Sequence, residues 1–239
     1  MKIRIDKFLS DMQVATRSES HQLIRSKKVF VNDQCVTSIS QKVDPEKDKV
    51  CIRHQQIVYQ KYFYWLMNKP ADVISATTDH HQPTVLDLLT DNDYRSDLFP
   101  VGRLDKDTTG LLLLTNDGQL AHNLLSPRHH VDKVYHALVQ GHVTDHTIAQ
   151  FKQGLRVDDH FTAQPATLQC LAYDATADQS QISLTIHEGK FHQVKRMFQA
   201  VGMHILTLKR VAMGPLTLGD LPQGEYRQLT PDELVALRK

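Results

Sequence analysis

Residues 102–118 read GRLDKDTTGLLLLTNDG. An Arg, two acids and a Gly crowd into a short polar segment that runs straight into four leucines. A continuous apolar run between turn residues is the pattern of a strand covered on both faces. The polar segment before it has three readings. Asp105, Asp107 and Thr109 at alternate positions, with Gly110 next, mimic the opening of a calcium loop. That reading fails at the twelfth position, where Asn116 replaces the bidentate Glu, and neither SDLFPVG before it nor GLLLLT within it reads as flanking helix and loop. A plain polar turn, with Arg103 paired to an acid for local order, would open the strand equally well. A carboxylate fixed at a strand end beside an arginine and partly desolvated is also the arrangement of a nucleophile or base. The segment alone leaves the last two open.

The rest of the chain narrows the class. Its 239 residues suit one large domain, or a small one joined to a medium one. Apolar residues at 41% and charged residues at 23% are ordinary for a globular protein with a real core. No apolar run approaches the roughly 18 residues of a membrane span, and MKIRIDKFLSDMQ lacks the apolar stretch of a signal peptide. A cytoplasmic protein with no membrane partner is expected. The three cysteines, Cys35, Cys51 and Cys170, are scattered and form no Cys-x-x-Cys pair, so neither a disulfide framework nor a cysteine zinc site is indicated. Net charge is +1, but residues 1–60 hold 11 Lys and Arg against 7 Asp and Glu, leaving 17 against 20 for the remainder of the 28 and 27 in the chain. The front end is the basic end.

In that front end, Ile5, Phe8, Leu9 and Met12 fall on one face of a helix. Thr16 and Glu19 make a capping-box signal for a second helix that turns Leu23 and Ile24 inward. Val29 and Val31 then alternate, and Asn32-Asp33 can supply the positive-φ turn of a hairpin. Around this small core stand Arg4, Lys7, Arg17, Arg25, Lys27 and Lys28. Taken singly each reads as a solvated charge. Together on so short a segment they read as a phosphate-binding face. With R-I-D-K-F-L at 4–9, T-R at 16–17 and V-F-V-N-D at 29–33, the stretch resembles the S4-like RNA-binding domain first named for a ribosomal protein. Lys27 or Lys28 stands where that family usually has Gly, and Asp33 replaces the hairpin Gly, a change that left-handed geometry tolerates. The resemblance implies RNA binding without chemistry. The join is expected at about residues 57–62, giving an RNA-binding domain over 1–58 and a larger domain over 61–239.

Beyond the join, strands are expected at 62–67, 111–115, 133–139, 166–172, 181–186 and 204–211, and helices at 84–90, 117–125, 145–153, 191–201 and 231–238. This order lacks strict alternation and argues for α+β over a doubly wound parallel sheet. On the helix at 191–201, Val194, Met197, Phe198 and Val201 form an apolar stripe, opposite His192, Lys195, Arg196 and Gln199. Four blocks, YWLMNKPADVIS (64–75), VGRLDKDTTGLLLLTNDG (101–118), SPRHHVDKVYHALVQG (126–141) and EGKFHQVKRMFQAVGMHILTLKR (188–210), resemble in this order the motifs of the pseudouridine synthases of ribosomal RNA. The Lys-Arg-Met-Phe segment, the SPRHH segment and the front domain look most like the branch that acts on the small ribosomal subunit, the synthase A branch.

The resemblance implies an α+β protein, with an S4-like domain followed by a mixed α/β pseudouridine synthase domain, that isomerises uridine in ribosomal RNA without cofactor or metal. It makes Asp105 the catalytic aspartate and Lys195 its basic partner. Tyr135 is the tyrosine that packs on the target base and removes the C5 proton, and Leu208 an apolar wall under the uracil. Gly189, His192 and Gln193 are expected to line the substrate. Arg103, two residues from Asp105 and on the same side of an extended segment, is a further cation that favours the ionised carboxylate. A uridine in folded RNA must leave its stack to be attacked, and Lys106, Arg128 and Lys133 are expected to help offset that cost through phosphate contacts. The fourteen histidines receive no metal role, because neighbours such as His129-His130 and His80-His81 point to opposite faces of an extended chain. The expected partner is ribosomal RNA or a small-subunit assembly intermediate, bound by a monomer. The alternatives are a large-subunit RNA target, or a ribosome-assembly factor that binds RNA without chemistry.

Overall fold

The computed structural model describes residues 2–126 and 129–238, and they form two compact units that divide between Tyr62 and Phe63. Arg128 lies outside the described residues.

Unit 1 runs β1 (Ile3–Arg4), α1 (Ile5–Asp11), α2 (Arg17–Arg25), β2 (Val29–Val31), β3 (Gln34–Cys35), β4 (Lys42–Val43), β5 (Val50–Ile52) and β6 (Gln55–Ile57). Strands β3-β2-β5-β6 form an antiparallel sheet, and β1 pairs with β4. The capping box forms as the sequence indicates: Thr16 Oγ1 accepts from Glu19 N, and Glu19 accepts from Thr16 N. Asn32 and Asp33 both take positive φ, 50° and 64°, which lets a two-residue turn join β2 to β3. Ile5, Phe8, Leu9 and Ile24 pack with Val29, Val31, Val43 and Val50 into one small core.

Unit 2 runs β7 (Tyr64–Lys69), β8 (Phe99–Pro100), β9 (Thr109–Thr115), α3 (Gly118–Leu125), β10 (Lys133–Gln140), α4 (Asp145–Gln153), β11 (Leu155–Arg156), β12 (Thr162–Ala163), β13 (Thr167–Asp174), β14 (Gln179–Ile186), α5 (Gln193–Ala200), β15 (His204–Met213), β16 (Leu216–Thr217), β17 (Tyr226–Gln228) and α6 (Pro231–Leu237). Its large sheet has the order β13-β14-β10-β15-β9-β7-β17, with β8 against β9 and β16 against β15. Among the described residues of this sheet only the β9–β15 pairing is parallel, so the sheet is mixed and the fold is α+β.

The four leucines lie at the heart of this sheet. Leu111 to Leu114 are fully buried in β9, on both faces at once, and each contributes roughly 1.5–3 kcal/mol by leaving water. At the start of β9 the parallel neighbour comes so close that a β-carbon at position 110 would collide with the Arg210 carbonyl oxygen, and φ there is +104°. Gly110 meets both demands.

Two helix expectations change. Residues 84–90 are a chain of turns, not a helix. Thr84 is held in a parallel bridge to Ile74, Val85 N donates to Ile74 O, and the Asp87 carboxylate takes both Thr84 N and Oγ1. Backbone committed to a bridge with Ile74 cannot also propagate a helix. The helix expected from 191 starts at Gln193, because His192 sits in the left-handed region at φ 49°, ψ 30°. Among the described residues no helix is long and apolar enough to cross a membrane.

Candidate active site

The loop entering β9 is gripped from several directions. Leu104 is buried, its N–H donates to Ser75 Oγ at 3.0 Å, and the Ser75 hydroxyl donates back to Leu104 O at 2.9 Å. Thr108 N closes a turn onto Asp105 O, and Asp72 N donates to Lys106 O. Beneath the loop, Lys69 has no solvent exposure. Its ammonium donates to Pro70 O (2.9 Å), Lys106 O (3.2 Å) and Thr108 O (2.9 Å). Burial brings this lysine down to about 8, against the opposing pull of Asp107, Asp105 and Asp72. Asp105 is therefore presented on a segment whose backbone is fixed before and after it.

The carboxylate opens into a cleft of about 680 Å³. Asp105 Oδ2 lies 3.2 Å from Lys195 Nζ, and Oδ1 lies 3.5 Å from His192 Nε2. Lys195 also donates to Asp107 Oδ1 at 2.5 Å. Burial alone would lower this lysine, but its bonds to Asp107 and Asp105 raise it, so it stays cationic. The hydrogen bond from Lys195 holds Asp107 below the usual carboxylate range. The space between the two carboxylates that mimicked a calcium loop is thus occupied by an ammonium group. Among the described residues there is no cluster of three or more His, Cys, Asp or Glu fit to hold a metal.

All eight expected cleft residues line this one cleft: Asp105, Arg103, Tyr135, Lys195, Leu208, Gly189, His192 and Gln193. The period of β10 explains part of this. Lys133 and Tyr135 are two apart, and both turn inward beside β15, which supplies Leu208. Two expectations need correction. Arg103 is exposed and, among the described residues, forms no ion pair with Asp105. Alternation in an extended chain puts both residues on one side, yet the guanidinium is free to extend into solvent while the lysine of α5 reaches the carboxylate. Gln193 is buried and already engaged: Nε2 donates to Glu188 Oε1, and Oε1 accepts from Lys190 N. It holds the loop before α5 in place and has little left for a substrate. Arg196, placed on the same polar face as Lys195, turns instead to an ion pair with Asp158.

Lys133 is buried, with Nζ donating to Val131 O at 2.7 Å. Burial, reinforced by nearby Arg210, lowers its pKa despite Asp132. Lys106 is exposed at the cleft. Lys69, Ser75, Glu188 and Arg210 were not singled out in the sequence. A lysine closing the apolar run YWLMNKP was the one local signal for Lys69.

In unit 1, all six expected RNA-binding cations are exposed. Arg4 makes a bidentate pair with the buried Asp6 (3.0 and 2.8 Å), and Lys7 pairs with Asp11. Among the described residues Arg17, Arg25, Lys27 and Lys28 form no ion pair. Lys27, one of the two candidates for the glycine position, takes φ 54°.

Comparison with protein families matches residues 63–200 to RNA pseudouridylate synthase and residues 3–50 to the S4 domain. The chain belongs to the RNA pseudouridylate synthase family. It is 38% identical to the ribosomal small subunit pseudouridine synthase A of Escherichia coli (strain K12), over 98% of this chain and 100% of that protein. It is also 38% identical to the ribosomal large subunit pseudouridine synthase B of Bacillus subtilis (strain 168), over 98% and 95%. A crystal structure of a pseudouridylate synthase superposes with a TM-score of 0.66 at 35% identity, covering 98% of this chain and 99% of that one. This pseudouridine synthase therefore pairs an N-terminal S4 domain with the catalytic fold of its family.

Proposed function

We propose that the enzyme converts one uridine of small-subunit ribosomal RNA to pseudouridine, with Asp105 as the nucleophile. The observation that carries this reading is the carboxylate itself. Asp105 is fixed by backbone bonds on both sides, opens into a cleft, and is paired at 3.2 Å with the ammonium of Lys195. In the reaction the bond between ribose C1′ and uracil N1 breaks, the uracil turns, and a C1′–C5 bond forms. The proton on C5 leaves and N1 ends protonated, so substrate and product are isomers. The Lys195 ammonium, 3.2 Å away, holds the Asp105 carboxylate in place for addition to the substrate. Tyr135 packs against the ring and takes the C5 proton, and Leu208 supplies the apolar wall. The uridine must be flipped from its stack, and cations at the cleft and on the S4 domain help offset that cost. We assign the protein to the cytoplasm, as a monomer acting on ribosomal RNA or on a small-subunit assembly intermediate.

Equal identity to a large-subunit synthase supports a second reading, a target in large-subunit RNA. Carbodiimide-dependent reverse-transcription mapping separates the two. Small- and large-subunit RNA, free and partly assembled, are incubated with wild-type protein and with Asp105→Asn. One new stop in small-subunit RNA, absent with the variant, is expected. A stop only in large-subunit RNA overturns the target, a stop that survives Asp105→Asn overturns the nucleophile, and no stop in any RNA overturns the ribosomal substrate.

A further inference from the structure

Between β14 and α5 the chain sets an aromatic ring in the open. Phe191 is 75% exposed, more than any other large hydrophobic residue described in unit 2. A lone exposed apolar side chain is ordinary on a protein surface. Three features set this one apart. One face of its ring lies on the His192 imidazole, with centroids 3.7 Å apart and planes at 19°. That imidazole in turn stands 3.5 Å from the Asp105 carboxylate, and both rings line the same cleft. The loop is also rigidly built. Glu188, buried, accepts from Gln193 Nε2 and from Gln164 N, and Gln193 N donates to Lys190 O. Arg196 bonds to the Phe191 carbonyl, and His192 is held in left-handed backbone geometry. The ring is thus presented in a fixed pose, one face covered and the other free, beside the exposed Lys190.

We propose that the free face of Phe191 is a stacking platform for the nucleobase next to the flipped uridine. The proposal rests on the reading of the cleft as the uridine site. When the uridine leaves its stack, its neighbour loses a stacking partner, and the Phe191 ring replaces it. The stack then runs neighbour base, Phe191, His192, and ends beside the reacting carboxylate. Every base has a π-face, so the contact gives affinity and register without demanding a particular base. An unpaired base of RNA is the occupant that fits a flat ring flanked by a lysine.

The test uses Phe191→Ala, Phe191→Leu and Phe191→Trp, all at an exposed position that leaves the core untouched. KM and kcat are measured on the RNA that the mapping identifies. In parallel, Kd is measured by fluorescence anisotropy on labelled short single-stranded RNAs with one central uridine, carrying either normal bases or an abasic residue on one flank. The Ala and Leu variants are expected to raise KM and Kd roughly 5- to 100-fold, with a smaller change in kcat, while Trp stays within about threefold of wild type. An abasic residue on the contacted flank should weaken wild type by a similar factor and the Ala variant hardly at all. Leu performing as well as Trp would make Phe191 a general apolar docking point and overturn stacking. Equal abasic penalties in wild type and Phe191→Ala would overturn it too. If wild type modifies none of these RNAs, the ribosomal-substrate reading falls while the abasic comparison still decides the stacking. If Phe191→Ala modifies RNA with unchanged KM, the stacking falls and the isomerase stands.

Discussion

Both units are equipped with cations, and they use them in opposite ways. In unit 1, Arg17, Arg25, Lys27 and Lys28 stand exposed with no ion pair among the described residues. In unit 2, Lys69, Lys133 and Arg210 are buried and Lys195 is half-buried, and each is committed to particular oxygens. Lys69 serves three loop carbonyls, Lys133 the Val131 carbonyl, Arg210 the Leu111 carbonyl, and Lys195 two carboxylates. Exposed cations attract a polyanion through counterion release, a long-range effect that adds up and that salt weakens. Buried ones set positions, and their effects neither add nor screen in the same way. Unit 1 should therefore respond to substitution in small, salt-dependent steps, and the cleft of unit 2 in large ones.

The sharpest break in that comparison is at Lys195. Lys195→Met removes the cation 3.2 Å from Asp105 and leaves two carboxylates facing each other. We expect kcat to fall by about 10²-fold or more, on the scale of losing one preorganised charge in an active site, with KM little changed. A loss confined to KM would move Lys195 from the chemistry to RNA binding.

Next in size is Lys69. Lys69→Met leaves the buried Thr108 carbonyl and the part-buried Pro70 and Lys106 carbonyls without their donor, and we expect a loss of roughly 2–4 kcal/mol in chemical denaturation, with a matching fall in turnover as the Asp105 loop loosens. The wild-type pH profile tests the same contact. With Lys69 at about 8, its ammonium begins to lose a proton as pH rises through that value, and a neutral amine has one donor too few for three carbonyls. Turnover should fall there. Stability should not, because the folded value lies below the ordinary 10.5, so from about 8 to 10.5 the unfolded chain binds more protons and this group makes folding more favourable as pH rises. Lys195, raised above the ordinary value, stays charged across the window and cannot produce that limb. Melting curves that fall in step with activity would attribute the limb to unfolding instead.

How much of this was legible in the sequence follows from how local each cause is. The capping box at Thr16 and Glu19, the Asn32-Asp33 turn and the leucines of β9 depend on residues within a few positions, and all were readable. Lys69 was not, since two of its acceptors lie 37 and 39 residues along the chain. The left-handed His192, which delays α5 by two residues, is held by the bonds around Glu188 and Gln193 and leaves no trace in periodicity. Arg103 failed for a related reason. Spacing gives the side of a strand on which a residue lies, whereas the choice between Arg103 and Lys195 as partner of Asp105 depends on where α5 packs. Residues 84–90 carried a credible apolar pattern, but their backbone was already bonded to Ile74. The resemblance to a family supplied Lys195 where spacing could not.

The smallest effect lies in unit 1, where charge and backbone geometry meet in one residue. Lys27 holds φ 54°, a region that costs a side-chain-bearing residue about 1–2 kcal/mol and costs glycine almost nothing. Lys27→Gly should therefore raise stability, by up to about 1 kcal/mol once the extra chain entropy of glycine is set against the relief. It should also weaken RNA binding by a few-fold at low salt and reduce the slope of log K against log salt by about 0.7 to 0.9, the loss of one phosphate contact. Lys27→Ala removes the same charge without relieving the backbone, so it should show the same change in slope with no gain in stability. Agreement of the two slopes, with a rise in melting temperature for Lys27→Gly alone, would mean that the lysine is kept for its charge against the preference of its backbone. A slope unchanged in both variants would remove Lys27 from the RNA-facing set and leave Arg17, Arg25 and Lys28 to carry it.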